Sequence, residues 1–144
     1  AALLHLKEEN RFKGECAMAL EQAAVQAKRK GKAALPLHLS LKEEKGQLIW
    51  HREDLIASLV EADGTIEEAA LGFHRAIVDM VVESARLLGV EQVILTGGCF
   101  HNGILWRETK DALEQAHFKV YGNEMVPCGD GGIALGQAWY GLQG

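Results

Sequence analysis

Apolar residues recur along this chain at two different spacings, which predict helices in some segments and strands in others. Spacings of three and four predict helices over Glu15–Lys30 and Thr65–Leu88, each ended by a glycine, and a shorter helix over Glu53–Glu61. Alternating leucines over Leu35–Leu41 and the apolar segment Gln47–Trp50, with a polar turn between them, predict a β-hairpin. We therefore expect the first half of the chain to contain a helix, a hairpin and two further helices.

The second half is expected to alternate between strands and helices. Its predicted elements are the strand Gln92–Thr96, the helix Gly103–Gln115, the strand Phe118–Tyr121 and the helix Gly131–Leu142. This order requires parallel strands and a right-handed crossover. With the hairpin, it resembles an α/β lobe of the ribonuclease-H-like, actin-like class, with a mixed sheet and helices on both faces. The first strand of that topology has no counterpart here, so residues 1–144 are expected to be a single partial domain, a fragment of a longer chain.

A glycine turn lies beyond each strand of the predicted parallel pair. Gly97 and Gly98 end the first strand, and Gly131 and Gly132 follow Asp130 further along the chain. A glycine backbone can approach a ligand closely, and a helix that follows such a turn directs N–H groups toward it. The carboxyl ends of parallel strands share one edge of a sheet, where ligands bind. The sequence therefore predicts a nucleotide or metal–nucleotide cleft at this edge.

Composition and charge exclude several other classes of protein. The chain has 144 residues and a formal net charge of −5, so its surface offers no general attraction to nucleic acids or anionic lipids. No apolar run approaches the roughly 18 residues of a membrane-spanning helix. The three cysteines lack CxxC spacing and are interpreted as free thiols of a cytoplasmic protein.

Four segments together resemble the HypF family of hydrogenase maturation carbamoyltransferases. They are Val93–Asn102, Gly129–Gln137, Arg11–Met18 and Gly72–His74. The combination of a GGxFxN motif with GDGGIALGQ is specific, whereas either motif alone would be weak. The resemblance covers essentially the whole chain. It implies the C-terminal lobe of an actin-like transferase domain, one related to the threonylcarbamoyl transferases that modify tRNA.

This resemblance implies an activity and its partners. Members of the family use ATP and carbamoyl phosphate to form carbamoyl-adenylate, and then pass the carbamoyl group to the C-terminal cysteine thiol of a HypE-like protein. In the wider family, the residue that matches Asn102 contacts the nucleotide and the residue that matches Asp130 binds a divalent metal ion. The remaining metal ligands are histidines, which would lie upstream of this chain. The chain is thus expected to supply half of a site, while its catalytic residues stay unknown.

Seven residues are the candidates for this half-site. The predicted nucleotide-binding residues are Gly97, Gly98, Asn102, Gly131, Gly132 and Glu15, and the predicted metal ligand is Asp130. A structural explanation stays open for each kind of residue: turn geometry for the glycines, a helix N-cap for Asn102 and Asp130, and the helix dipole for Glu15.

Other residues and other functions compete with this interpretation. Cys99, His101 and Cys128 lie near the turns, but their spacing fits no standard zinc site. His74 is expected to be a structural histidine whose hydrogen bonds are satisfied. Two alternative functions remain open. One is a lobe of a tRNA threonylcarbamoyl transferase, although Phe100, Gly131 and Ile133–Gly136 depart from that group's motifs. The other is a non-catalytic actin-like interaction domain.

Overall fold

The computed structural model describes residues 1–143, and the chain divides into two compact units, Ala1–Met80 and Val81–Gly144. The first unit contains helix α1 (Glu15–Arg29), strands β1 (Ser40–Glu44) and β2 (Gln47–His51), helix α2 (Arg52–Glu61) and most of helix α3 (Ile66–Leu87). The second unit contains the end of α3, strand β3 (Gln92–Leu95), helix α4 (Gly103–Gln115), strand β4 (Lys119–Gly122) and helix α5 (Ile133–Gln143), with short 3₁₀ turns over Gly98–His101 and Asp130–Gly132.

The hairpin of the first unit lies later in the sequence than the leucine alternation predicted. Ser40 pairs with His51 and Glu44 with Gln47, so the ladder continues through the segment that was predicted to be a polar turn. The turn itself is only Lys45-Gly46, and both residues have positive φ angles, 52° and 78°. Two consecutive residues with positive φ form the tight turn that suits the twist of a hairpin. Backbone hydrogen bonds, rather than apolar side chains, therefore set the extent of these strands.

The strand prediction for Leu35–Leu39 was wrong, because the backbone of this segment bonds to helices. The N–H of Leu35 donates to the carbonyl oxygen of Glu68 at 3.2 Å. The N–H of His38 donates to Oγ of Ser58 at 3.0 Å. Alternating leucines can occur in an extended segment that packs on helices as well as in a β-strand. A period of two in the apolar residues alone does not distinguish these cases.

Helix α3 starts with a capping box. Thr65 N–H donates to Oε2 of Glu68 at 2.8 Å, and Glu68 N–H donates to Oγ1 of Thr65 at 3.4 Å. Further along the helix, His74 is 1% exposed and its Nδ1 lies 2.7 Å from the carbonyl oxygen of Ala70. The histidine is therefore a hydrogen-bonded core residue, as expected.

Ion pairs connect the end of α1 to the start of α3. Lys30 Nζ lies 2.9 Å from Oε1 of Glu67, and Lys32 Nζ lies 3.8 Å from Oε2 of the same carboxylate. The hydrogen bond from Lys30, aided by the backbone at Glu67, lowers the pKa of the Glu67 carboxyl from 4.5 to about 2. Lys30 and Lys32, which follow α1, are therefore both paired with the same carboxylate of this unit.

The second unit is built on the predicted parallel strand pair. Gln92 pairs with Lys119 and Leu95 with Gly122. One face of the pair packs on a core whose buried members are Val82, Ala85, Leu95 and Leu113. The carboxyl ends of β3 and β4 consequently lie side by side, and the chain leaves each of them toward a glycine turn.

The strands of the described residues thus form two two-stranded sheets, one antiparallel and one parallel. The prediction of an α/β fold is confirmed, and its strands lie in two small sheets where a single mixed sheet was expected. That this chain lacks the first strand of the topology stays a prediction. Within residues 1–143, no helix is both long and apolar enough to cross a bilayer.

Candidate functional site

The first glycine turn depends on a backbone conformation that only glycine adopts readily. Gly97 has φ 101° and ψ 159°, in a region of backbone space that side chains exclude. Gly98 then begins the 3₁₀ turn Gly98–His101, and Phe100 N–H donates to the carbonyl oxygen of Gly97 at 3.1 Å. The leading N–H groups of such a turn, those of Gly98 and Cys99, have no partner within it. They are the donors that this turn offers to an anionic ligand.

Asn102 is the N-cap of α4, which was the structural alternative for this residue. Its Oδ1 accepts hydrogen bonds from the N–H groups of Ile104 at 3.1 Å and Leu105 at 3.0 Å. Two of the helix's leading N–H groups are therefore satisfied by the cap. Helix α4 therefore has fewer unpaired N–H groups to offer a ligand than expected. The N–H groups of the preceding 3₁₀ turn are the better candidates for binding an anion.

The second glycine turn is fixed by close packing as well as by a hydrogen bond. Gly132 N–H donates to the carbonyl oxygen of Gly129 at 3.0 Å. A Cβ atom on Gly132 would lie 2.7 Å from the carbonyl oxygen of Pro127, so no larger residue fits there without movement. Asp130 and Gly131 lie within this 3₁₀ turn, and α5 starts only at Ile133. Asp130 is thus not the residue directly before the last helix.

The two turns are joined through Cys128. Gly97 N–H donates to the carbonyl oxygen of Cys128 at 2.7 Å, and Oγ1 of Thr96 donates to the same oxygen at 3.5 Å. The side chains of the two turns also meet, since Nδ1 of His101 lies 3.8 Å from Sγ of Cys128. The side-by-side placement of the two turns, on which the predicted cleft depends, is therefore present in the second unit.

A cavity of about 480 Å³ lies beside the contact between the two turns. Most of the residues that line it were not predicted from the sequence. Its walls are Phe100, His101, Trp106 and the loop from Asn123 to Cys128. The rings of Phe100 and Trp106 meet edge to face, with centroids 6.2 Å apart. The position of the loop at the carboxyl end of β4 was the available signal, because loops at that edge line ligand clefts.

Glu15 lies in the first unit, where both of its carboxylate oxygens are engaged locally. Oε1 lies 2.6 Å from Lys7 Nζ, and Oε2 accepts the N–H of Arg11 at 2.7 Å. The hydrogen bond from Lys7, followed by that from Arg11, lowers the pKa of the Glu15 carboxyl below its ordinary value. These contacts fold the N-terminal segment against the start of α1, and they account for Glu15 without a ligand.

Asp130 is the one metal ligand that was predicted within this chain. Among residues 1–143, no three histidine, cysteine, aspartate or glutamate side chains are grouped so that they could hold a metal ion. A carboxylate in a glycine turn suits a hard divalent cation that also binds phosphate oxygens. Asp130 stays a predicted ligand, and a metal site that includes it would need further ligands from outside the described residues.

Comparison with known proteins agrees with these features. The family model for the carbamoyltransferase Kae1-like domain, second subdomain, matches residues 1–137. The carbamoyltransferase HypF of Synechocystis sp. is 34% identical over 95% of this chain, which spans 18% of that relative's length. A tRNA N6-adenosine threonylcarbamoyltransferase of Thermotoga neapolitana is 29% identical over 56% of the chain.

Two solved structures have the same fold. A crystal structure of full-length HypF in its phosphate- and nucleotide-bound form matches 99% of this chain with a TM-score of 0.82 and 29% identity, and the chain spans 19% of it. The structure of T. kodakarensis HypF matches 98% of the chain with a TM-score of 0.73 and 29% identity, and the chain spans 18% of it. These matches confirm the predicted fold class. The chain belongs to the HypF carbamoyltransferase family, in which it corresponds to the second subdomain of the Kae1-like domain.

Proposed function

We propose that this chain supplies one half of the site at which carbamoyl-adenylate is bound and its carbamoyl group is transferred to a protein thiol. The observation that carries the proposal is the hydrogen bond from Gly97 to Cys128, which holds the two glycine turns together. The family membership and the fold shared with a nucleotide-bound HypF support it. In the complete protein, ATP and carbamoyl phosphate would be the sources of the adenylate.

The role of the first turn in this proposal is to bind the phosphate. The N–H groups of Gly98 and Cys99 lead a 3₁₀ turn, and backbone N–H groups at such a position bind anions. Gly98 has open space where a Cβ would be, so a ligand oxygen can approach its backbone directly. Asn102 combines its capping role with a contact from its amide group to the nucleotide.

In this proposal, the second turn contributes a negatively charged metal ligand and a backbone that lies close to the phosphates. Asp130 would bind a divalent metal ion together with ligands from outside this chain, and Gly131 and Gly132 would border the phosphates. A divalent ion in such a site neutralises phosphate charge and polarises the group that is transferred. Glu15, whose carboxylate is engaged by Lys7 and Arg11, is the weakest of the predicted nucleotide ligands.

The acceptor in this proposal is the C-terminal cysteine thiol of a HypE-like partner, as part of the maturation of nickel–iron hydrogenases. The thiol attacks the carbonyl carbon of carbamoyl-adenylate, the bond from that carbon to the phosphate oxygen breaks, and AMP leaves. Transfer of this kind requires positioning and stabilisation of developing charge, which backbone N–H groups and a cation supply.

A matched pair of substitutions tests the proposal in the full-length protein. Asp130→Asn removes the candidate ligand, and Asp111→Asn makes the same charge change on an exposed position of α4. We expect Asp130→Asn to slow carbamoyl transfer to the partner strongly and to raise the metal concentration required, while Asp111→Asn behaves as wild type. Equal activity of both variants would contradict the role of Asp130.

The match to a tRNA-modifying enzyme motivates one second candidate, a threonylcarbamoyl transferase lobe. It is less favoured, because the match covers 56% of the chain, against 95% for a HypF protein, and because the net charge is −5. Binding to tRNA in a gel-shift assay at physiological salt would favour this candidate. Absence of tRNA binding, with carbamoylation of a partner thiol, would favour the first.

A further inference from the structure

Helix α5 is apolar on more than one side and is exposed along its whole length. None of its 11 residues is charged, and each of them is exposed to solvent. A helix that lacks a polar face is normally buried in the core of a larger protein. Within residues 1–143, however, no element buries any residue of α5.

Helical spacing places the large apolar residues of α5 on two sides. Residues four or seven positions apart lie on the same side of a helix. Leu135, Trp139 and Leu142 therefore form one ridge, the Trp139 ridge. Ile133 and Tyr140 form a second one, the Tyr140 ridge, about 140° away around the helix axis. A single flat surface covers only one of these ridges.

The parallel strand pair of the same unit also has an open apolar face. Ile94 of β3 and Tyr121 of β4 are paired in register, and they are 70% and 51% exposed. Leu95, which points to the opposite face, is 2% exposed. Parallel strands are ordinarily covered on both faces. Folding α5 back onto this sheet face would bury one ridge and leave the other exposed.

We propose that the first subdomain of the same Kae1-like domain covers both ridges of α5 in the complete protein. The family model that matches this chain describes a second subdomain, so its relatives contain a first one. The chain spans only 19% and 18% of the two HypF structures that it matches. The occupant is therefore a part of the same polypeptide that lies outside residues 1–144.

The composition of α5 favours a permanent cover over a partner that binds and leaves. Interfaces between proteins that associate transiently have a polar rim, whereas permanent interfaces resemble a domain core cut in half. Helix α5 has two apolar ridges and no charged residue, which matches the permanent class. This inference goes beyond the proposed function and does not depend on nucleotide binding.

Hydroxyl-radical footprinting of the wild-type full-length protein, read by mass spectrometry, tests the proposal without a variant. Trp139 and Tyr140 each report on one ridge, and they are 66% and 83% exposed in this chain. An isotope-labelled synthetic peptide of residues 130–143 in the same sample is the fully exposed reference. We expect both side chains to be oxidised at least about tenfold more slowly in the protein than in the peptide, because the core of an interface excludes water.

Three results of the footprinting would overturn the proposal. Oxidation of both side chains at the rate of the peptide would mean that nothing in the polypeptide covers α5. Protection of Tyr140 without Trp139, or the reverse, would mean that only one ridge is covered, as folding back onto the open sheet face would do. Protection that disappears when the protein is diluted would assign the cover to a second copy of the chain.

Photo-cross-linking identifies the occupant. A benzoylphenylalanine side chain, introduced as Trp139→benzoylphenylalanine in the full-length protein, reacts with whatever lies against the Trp139 ridge. We expect a cross-link within one polypeptide to a peptide of the first subdomain. A cross-link confined to residues 1–144, to another domain or to a second molecule would contradict the proposal.

A matched pair of serine substitutions measures whether the cover stabilises the full-length protein. Leu135 belongs to the Trp139 ridge, whereas Gln137 lies between the ridges on a side without large apolar residues. Leu135→Ser should lower the midpoint of thermal unfolding by at least about 3 °C, and Gln137→Ser by less than about 1 °C. Leu135 is 57% exposed in this chain, so a helix that stays free would give equal midpoints, and that result would contradict the proposal.

Discussion

Gly97 and Cys128 lie far apart in the sequence, yet the N–H of one donates to the carbonyl oxygen of the other at 2.7 Å. The bond follows from the parallel pairing of β3 and β4, which delivers both chain segments to the same edge. It also requires Gly97, whose positive φ of 101° turns the N–H toward Cys128. Strand pairing and one unusual backbone conformation together place the two halves of the candidate site side by side.

The two roles of Asn102 can be separated by substitution. Asn102→Ala removes the acceptor of Ile104 and Leu105 and should destabilise the protein by about 1 kcal/mol. Asn102→Asp keeps an N-cap oxygen and should preserve stability, but its charge repels phosphate and should weaken nucleotide binding by about tenfold, or about 1.4 kcal/mol. Thermal unfolding and nucleotide titration on both variants check this. Wild-type affinity of Asn102→Asp would show that Asn102 is only a cap.

Gly72 is required for packing in the first unit. A Cβ atom there would lie 2.5 Å from the carbonyl oxygen of Leu35, which is backbone and cannot rotate away. Gly72→Ala should therefore cost about 1–3 kcal/mol of unfolding free energy, as overpacked positions do. Gly141→Ala in α5 meets nothing within 4 Å and is the matched control. Urea unfolding of the two variants measures the difference, and an equal midpoint would contradict the packing at Gly72.

The ion pair between Lys30 and Glu67 predicts a dependence of stability on pH. The pKa of Glu67 is about 2 in the folded protein, below its ordinary 4.5, so the unfolded chain binds more protons between these values. The contribution of Glu67 to stability is complete above about pH 4.5 and is lost as the pH falls toward about 2. The urea midpoint of wild type should fall over this window more steeply than that of Glu67→Gln. Identical slopes would mean that the pair contributes nothing.

The sequence predicted the five α-helices and the parallel strand pair because the signals for each of these elements are local. The capping box at Thr65 and the glycine turn at Gly97 each specify their own backbone. The strand at Leu35 was misplaced because its partners, Glu68 and Ser58, are distant in sequence, and no local pattern identifies them. The spacing of apolar residues also could not show that the hairpin ladder continues through the charged residues 42–44.

The candidate site was predictable in part for the same reason. Both glycine turns were identified from their composition, and the capping role of Asn102 was open from the start as an alternative. The cavity beside His101 and the contact between His101 and Cys128 depend on how the loop after β4 folds over the first turn. No residue pattern in the loop encodes that path, so only the structure reveals it.

The central claim, that the joined turns bind nucleotide, is tested most directly at Gly98. A Cβ atom there meets nothing within 4 Å, so Gly98→Ala should leave the fold intact and add a methyl group only where a phosphate would approach. Titration of the full-length protein with a non-hydrolysable ATP analogue, in which any other site is resolved as a separate component, measures the effect. We predict at least about tenfold weaker binding for Gly98→Ala and wild-type binding for Gly141→Ala. Unchanged affinity of Gly98→Ala, with unchanged thermal stability, would contradict the account.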